Sequence, residues 1–152
     1  MTIAAIVKTV EVRCDRQRAF ELFCGRMSEW WPPAHHIGGS PIKSVVIEPR
    51  VGGRWFERGE DGSETSWGRV LDWAPPGRLL LAWQITAAWT YDPDFETELE
   101  LTFTALPAGT QVRLEHRNLE RFGDSAEKMA ASLNGGWPTI VDGFAAFADQ
   151  QT

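Results

Sequence analysis

The stretch 123–152, GDSAEKMAASLNGGWPTIVDGFAAFADQQT, decides the fold. Its apolar residues Met129, Leu133, Trp137, Ile140, Val141, Phe144 and Phe147 recur mostly at steps of three and four, so they share one side of a long C-terminal helix. A helix of this kind gains most of its stability by burying that side. Everything before it reads mainly as strand. The expected architecture is therefore α+β: one curved antiparallel sheet wrapped around one long helix. Asp124 or Ser125 is placed to cap the helix, and Gly135, Gly136 and Pro138 predict a bend around Trp137.

The strands show themselves by alternation. In 95–103, Phe95, Thr97, Leu99, Leu101 and Phe103 face one way while Glu96, Glu98, Glu100 and Thr102 face the other, the pattern of a sheet with one wet side. Leu79, Leu81, Trp83 and Ile85 make a second apolar wall, and Val112, Leu114 and His116 a third. Glu98, Glu100, Arg113, Glu115 and Arg117 then form a charged outer face, where each exposed pair stabilises by about 0–1 kcal/mol. Further strands are expected at 43–49, 53–58 and 65–73, with hairpin turns at 59–62 and 74–77. The first strand covers about 3–12, with Ala4, Ile6, Lys8, Val10 and Val12 as its inner set. Asp15 caps a helix over 16–24, and a second short helix carries Met27, Trp30 and Trp31 until Pro32 and Pro33 stop it.

The 152 residues suit a single domain, 1–152. Apolar residues make up 43% and charged ones 24%, as in a soluble globular protein, whereas eight Trp and eight Phe require a thick core or a lined cavity. A formal charge of −6 without a basic run argues against nucleic-acid binding. No apolar run approaches the roughly 20 residues that span a bilayer, and 1–7 lacks the build of a secretion signal, so no membrane insertion and a cytoplasmic location are expected. Cys14 and Cys24 have no redox or metal spacing and read as free thiols. His35 and His36 sit on a Gly- and Pro-rich loop with no third ligand nearby, which reads as a solvated loop and gives no metal site; no cofactor is expected.

Two polar residues fall on inner faces. His116 continues the inward series of Val112 and Leu114, so it must be either a satisfied core histidine or a polar anchor in a cavity, with acid–base work open to it. Glu57 lies two residues from Trp55, and placing this pair inward spares Arg54 and Arg58 from burial; Arg69, in the apparent inner set Trp67, Arg69, Leu71 and Trp73, is its expected partner. No phosphate loop, zinc-protease motif or nucleophile elbow is present.

The segments Gly52-Gly53-Arg54-Trp55-Phe56-Glu57, 68–79 (from Gly68-Arg69 through Asp72-Trp73-Ala74-Pro75-Pro76-Gly77 to Leu79), Leu114-Glu115-His116-Arg117 and Gly136-Trp137 together resemble the bacterial homologues of the heat-shock-protein-90 ATPase activator C-terminal domain. That resemblance implies the helix-grip fold shared with START lipid-transfer domains, polyketide cyclases and birch-pollen-allergen-like proteins, with a hydrophobic cavity between sheet and helix. It transfers no catalytic residue, and fold alone selects no chemistry.

The expected function is binding of a small apolar or aromatic molecule. Trp55, Trp67, Trp83, Leu99, Phe103, Met129, Leu133 and Trp137 would line the chamber, with Glu57, Arg69 and His116 at its polar end. The alternatives are a cyclase-like or hydrolytic enzyme with His116 and Glu57 as catalytic candidates, and a protein-interaction module, a chaperone partner being the weaker form of the latter. A homodimer is the other open partner, with Trp30, Trp31 and Trp89 buried either within the subunit or between subunits.

Overall fold

The computed structural model describes residues 3–151. Seven antiparallel strands form one sheet in the order β1-β7-β6-β5-β4-β3-β2. They are β1 (Ile6–Val12), β2 (Ile42–Ile47), β3 (Arg54–Gly59), β4 (Glu64–Ala74), β5 (Arg78–Trp83), β6 (Thr97–Leu106) and β7 (Gly109–Arg117). Two helices, α1 (Arg16–Gly25) and α2 (Met27–Trp30), follow β1, and α3 (Ala126–Gln150) closes the chain after a 3-10 segment, Leu119–Ser125. This is the helix-grip arrangement that the sequence predicts.

Local signals act where expected. The Asp15 carboxylate accepts the Arg18 amide at 2.8 Å and starts α1. Along β6 and β7 the apolar set is buried, and Arg117 on the outer face bonds Glu98, Glu100 and Glu115. On β1, Ile6 and Val12 are buried while Val7 is exposed, which agrees with the expected inner set; the strand itself begins at Ile6. Helix α3 runs unbroken through Pro138. The proline deprives the Asn134 carbonyl of a donor, but Asn134 is exposed, so water can serve it. Ser125 occupies the cap position without a side-chain bond, and Asp124 lies in the preceding 3-10 segment.

The placement of Arg69 departs from expectation. Bulges interrupt β4 on both sides of it, between Trp55 and Phe56 in the pairing with β3 and between Val70 and Asp72 in the pairing with β5. Each extra residue reverses the facing of those beyond it. Arg69 is thereby turned outward, opposite Arg54 and Ala82, where it pairs with Glu96 at 2.7 Å. Trp67 and Trp73 stay on the core side and Val70 takes the place that strict alternation gives Arg69. Phe56 on the outer face is covered by the Arg54 guanidinium, 4.2 Å from its ring centre, so it is buried without entering the core.

The space between sheet and helix is filled. Trp55, Leu99, Leu101, Phe103, Leu114 and Phe144 are all at most 1% exposed, and Phe103 packs edge-on against Phe20 and Phe23. Trp55 has close backbone beneath it: a Cβ on Gly68 would lie 1.7 Å from the Ala82 carbonyl oxygen. Gly68→Ala is therefore expected to force β4 and β5 apart at the bulge and destabilise the protein by about 3 kcal/mol, the upper end of overpacking costs, because the obstacle is backbone. Urea unfolding monitored by tryptophan fluorescence would measure it.

Candidate ligand-binding site

At one end of the filled core, a cavity of about 320 Å³ remains between α3, the loop after α2 and the ends of β4 and β5. That volume lies at the lower end of small-molecule pockets. Helix α3 contributes Ser132, Leu133, Gly136, Trp137 and Ile140; the loop contributes Trp31, Ala34, His35, His36 and Ile37; the sheet side contributes Trp67, Trp83, Ile85 and Trp89. Of the residues expected from sequence, Trp67, Trp83, Leu133 and Trp137 are on the wall. Trp55, Leu99, Phe103 and Met129 are instead solid core, and Arg69 is on the far face of the sheet.

The indoles are held in fixed poses. Trp31 Nε1 donates to the His35 carbonyl at 2.7 Å, Trp67 Nε1 to Glu57 at 2.8 Å, Trp83 Nε1 to the Ile85 carbonyl at 3.0 Å and Trp137 Nε1 to His116 at 3.2 Å. With those polar handles committed to the protein, the rings offer a cavity only apolar faces and edges. They also brace each other, Trp31 against Trp67 at 5.0 Å and Trp83 against Trp137 at 5.7 Å between centroids. Gly136 gives the helix side its room, since a Cβ there would meet nothing nearer than the His35 ring at 3.9 Å.

Glu57 faces inward, as the cost of burying Arg54 and Arg58 in its place suggests, and is 1% exposed. Its partner is the loop rather than Arg69. Oε1 accepts the amides of Ile37 at 2.7 Å and Gly38 at 3.1 Å together with the Trp67 indole N–H. A Cβ on Gly38 would stand 2.9 Å from Oε2, so only glycine lets the chain lie this close. Oε2 is buried without a hydrogen-bond partner and lies 3.8 Å from His36 Nδ1.

His116 is the satisfied core histidine. It is fully buried, with Nδ1 accepting from Trp137 and Nε2 at 2.8 Å from the Thr97 hydroxyl oxygen. The indole can only donate, so Nδ1 carries the lone pair and Nε2 the proton. Both nitrogens are used, and the ring lies behind Trp137 without reaching the cavity wall. His35 is exposed at the cavity edge, while His36 is half-buried with Nδ1 3.0 Å from the Gly38 carbonyl oxygen. The loop read as solvated thus supplies both imidazoles of the cavity. Its one sequence signal is the inward Glu57, which needs donors that a glycine-bearing loop can provide. Trp89, on the connection 86–94, is held at φ 58° by bonds between Thr86 and Thr90 and stands 45% exposed at the cavity edge.

The family profile described as activator of Hsp90 ATPase homolog 1-like protein matches residues 15–149. The chain belongs to this family. A search of curated proteins gives no match. Among solved structures, it is similar to Txn09, an anthrahydroquino-γ-pyrone synthase, with 37% identity over 97% of both chains and a TM-score of 0.66. It is similar also to CalC, a self-sacrificing resistance protein of Micromonospora echinospora, with 31% identity over 97% of this chain and 95% of that one and a TM-score of 0.72. The Aha1 dimer of Colwellia psychrerythraea, at 13% identity over 97% of both chains and a TM-score of 0.68, shares the fold. Among the described residues no helix is long and apolar enough to cross a membrane, and no group of three His, Cys, Asp or Glu could hold a metal ion. Cys14 and Cys24 are free and buried.

Desolvation lowers the His116 pKa from 6.5 to about 3, so between these values the unfolded chain binds a proton that the folded chain does not. Its stabilisation is complete above pH 6.5 and is lost as the pH falls towards 3. His116→Phe should flatten that part of the stability–pH curve, whereas His116→Ala should cost about 3 kcal/mol at neutral pH through a cavity and an unpaired indole. Chemical denaturation at a series of pH values would check both.

Proposed function

We propose that this protein is a cyclase-like enzyme that binds a planar polycyclic phenol in the α3–loop cavity and promotes ring closure on it by proton transfer. The observation that carries the reading is the cavity itself: four braced indoles offer apolar surface, and two imidazoles on one side are its titratable groups. Identity of 37% across the whole chain to a pyrone synthase supports the same class of chemistry. A γ-pyrone closes when a phenolic oxygen adds to a ketone carbonyl and the carbonyl oxygen leaves as water, with one proton from the phenol and one from the carbon between the carbonyls. No electrons are gained or lost overall. The protein then has to hold the two ends together, exclude bulk water and move protons, which aromatic walls and an imidazole can do.

Binding without turnover is the second reading, favoured by 31% identity to a self-sacrificing resistance protein. A co-chaperone role has less support. The large apolar side chains exposed among the described residues are Val7, Val51, Trp89 and Tyr91, and Trp89 belongs to the cavity rim.

Gly136→Leu separates these readings from a purely structural domain. Leucine raises helix propensity by about 0.5–1 kcal/mol over glycine, so the variant should melt no lower than wild type. Its side chain enters the cavity. Alizarin, a planar dihydroxyanthraquinone, should quench wild-type tryptophan fluorescence, and the variant should bind it at least about tenfold more weakly. With an ortho-hydroxyaryl β-diketone, wild type should accelerate pyrone formation and the variant should not. Equal binding and turnover in both proteins would place the site elsewhere; binding without turnover in wild type would favour the second reading.

A further inference from the structure

His35, His36 and His116 are the chain's three imidazoles, and they differ in what their surroundings permit. His116 has both nitrogens occupied inside the core. His35 is exposed, and its ring has no hydrogen-bond partner among the described residues. His36 is the one that is oriented. Its Nδ1 lies 3.0 Å from the Gly38 carbonyl oxygen, which can only accept, so in the neutral ring Nδ1 carries the proton and Nε2 the lone pair. Nε2 has no hydrogen-bond partner among the described residues, and the ring forms part of the cavity wall.

Behind it stands an incomplete polar group. Glu57 is 1% exposed, and its Oε1 is saturated by three N–H donors while Oε2 has none. Burying a carboxylate oxygen without a donor is costly, and folded proteins rarely tolerate it without a reason. The nearest cationic or potentially cationic group to that oxygen is His36, whose Nδ1 is 3.8 Å away. His36 Nδ1 is thus 3.0 Å from the Gly38 carbonyl oxygen and 3.8 Å from Glu57 Oε2, so a proton taken up at Nε2 leaves the positive ring beside a buried carboxylate that attracts it.

We propose that His36 is the acid–base catalytic residue of the cavity and that Glu57 is its positioning residue, fixing the loop through Oε1 and steadying the protonated ring through Oε2. This rests on the cavity reading of the preceding section. For ring closure, Nε2 takes the phenolic proton as the C–O bond forms and returns it to the carbonyl oxygen, giving a hydroxyl group. Nε2 then takes the proton of the neighbouring carbon as the C=C bond forms and hydroxide leaves, and the hydroxide recovers that proton as water. His36 ends neutral.

Alizarin reports the first transfer, because its yellow neutral form turns red on losing a phenolic proton. At a pH where the free dye is yellow, wild-type protein should hold it in the red form. His36→Gln should bind the dye within about threefold of wild type yet lower the red-to-yellow ratio at least about tenfold. Glu57→Gln keeps an oxygen for the three N–H donors and removes the charge, so it should lower the ratio similarly. In the His36→Gln background it should add nothing, since both act through one ring. Equal red fractions in wild type and His36→Gln would overturn the assignment of His36. A Glu57→Gln effect that persists without His36 would overturn the assignment of Glu57, and if that variant does not fold, His36→Gln alone decides the acid–base role. Absence of dye binding in wild type would instead refute the cavity reading on which both rest.

Discussion

One carboxylate oxygen holds a wall of the cavity in place. Glu57 Oε1 gathers two amides from the loop after α2 and the indole N–H of Trp67, tying the loop and β4 to β3. A loop with Pro32, Pro33, Gly38 and Gly39 has no regular backbone ladder to fix it, and only Ile37 of residues 34–40 packs against the core among the described residues. Charge-assisted bonds of this type are about twice as strong as neutral ones, and burial strengthens them further by excluding water. Through this junction the position of His36 and Ile37 becomes a property of the sheet.

The aromatic content divides between two duties. Phe20, Phe23, Phe103 and Phe144 pack edge to face and close the interior beneath α1 and α3. The indoles of Trp31, Trp67, Trp83 and Trp137 gather at the opposite end, each with its N–H donated to a protein acceptor. His116 belongs to this second group as a brace. Its Nδ1 takes the Trp137 N–H and its face contacts Trp83 at 5.0 Å, so it orients two walls of a cavity that it does not enter. An imidazole is suited to the task because, unlike an aliphatic side chain, it can accept one hydrogen bond and donate another within the core.

Much of this was legible in the residues. Clean alternation in 95–103 and 112–116, the Asp15 cap and the periodicity of 129–147 give the sheet, the first helix and the last one, since each depends on local facing and local hydrogen bonding. The inward turn of His116 follows from the same parity, and that of Glu57 from the cost of burying Arg54 and Arg58 instead. Arg69 was misplaced because two bulges reverse the facing of β4, and bulges leave no reliable mark in a single sequence. The cavity occupies only part of the space between sheet and helix for a different reason. Counting large inward residues cannot distinguish a lined chamber from a filled one, and here Trp55, Leu99, Phe103 and Met129 fill it. The loop that completes the cavity has turn-like composition, and its importance rests on a long-range bond to a residue about twenty positions later.

Glu57 is what turns this loop into a wall of the cavity. Amide hydrogen exchange tests it most directly, comparing wild type with Glu57→Ala. The account predicts that the Ile37 and Gly38 amides are protected in wild type and exchange freely in the variant, while amides of β6 and β7 keep their protection. Rapid exchange of Ile37 and Gly38 in the wild-type protein, or protection that survives loss of the carboxylate, would contradict it.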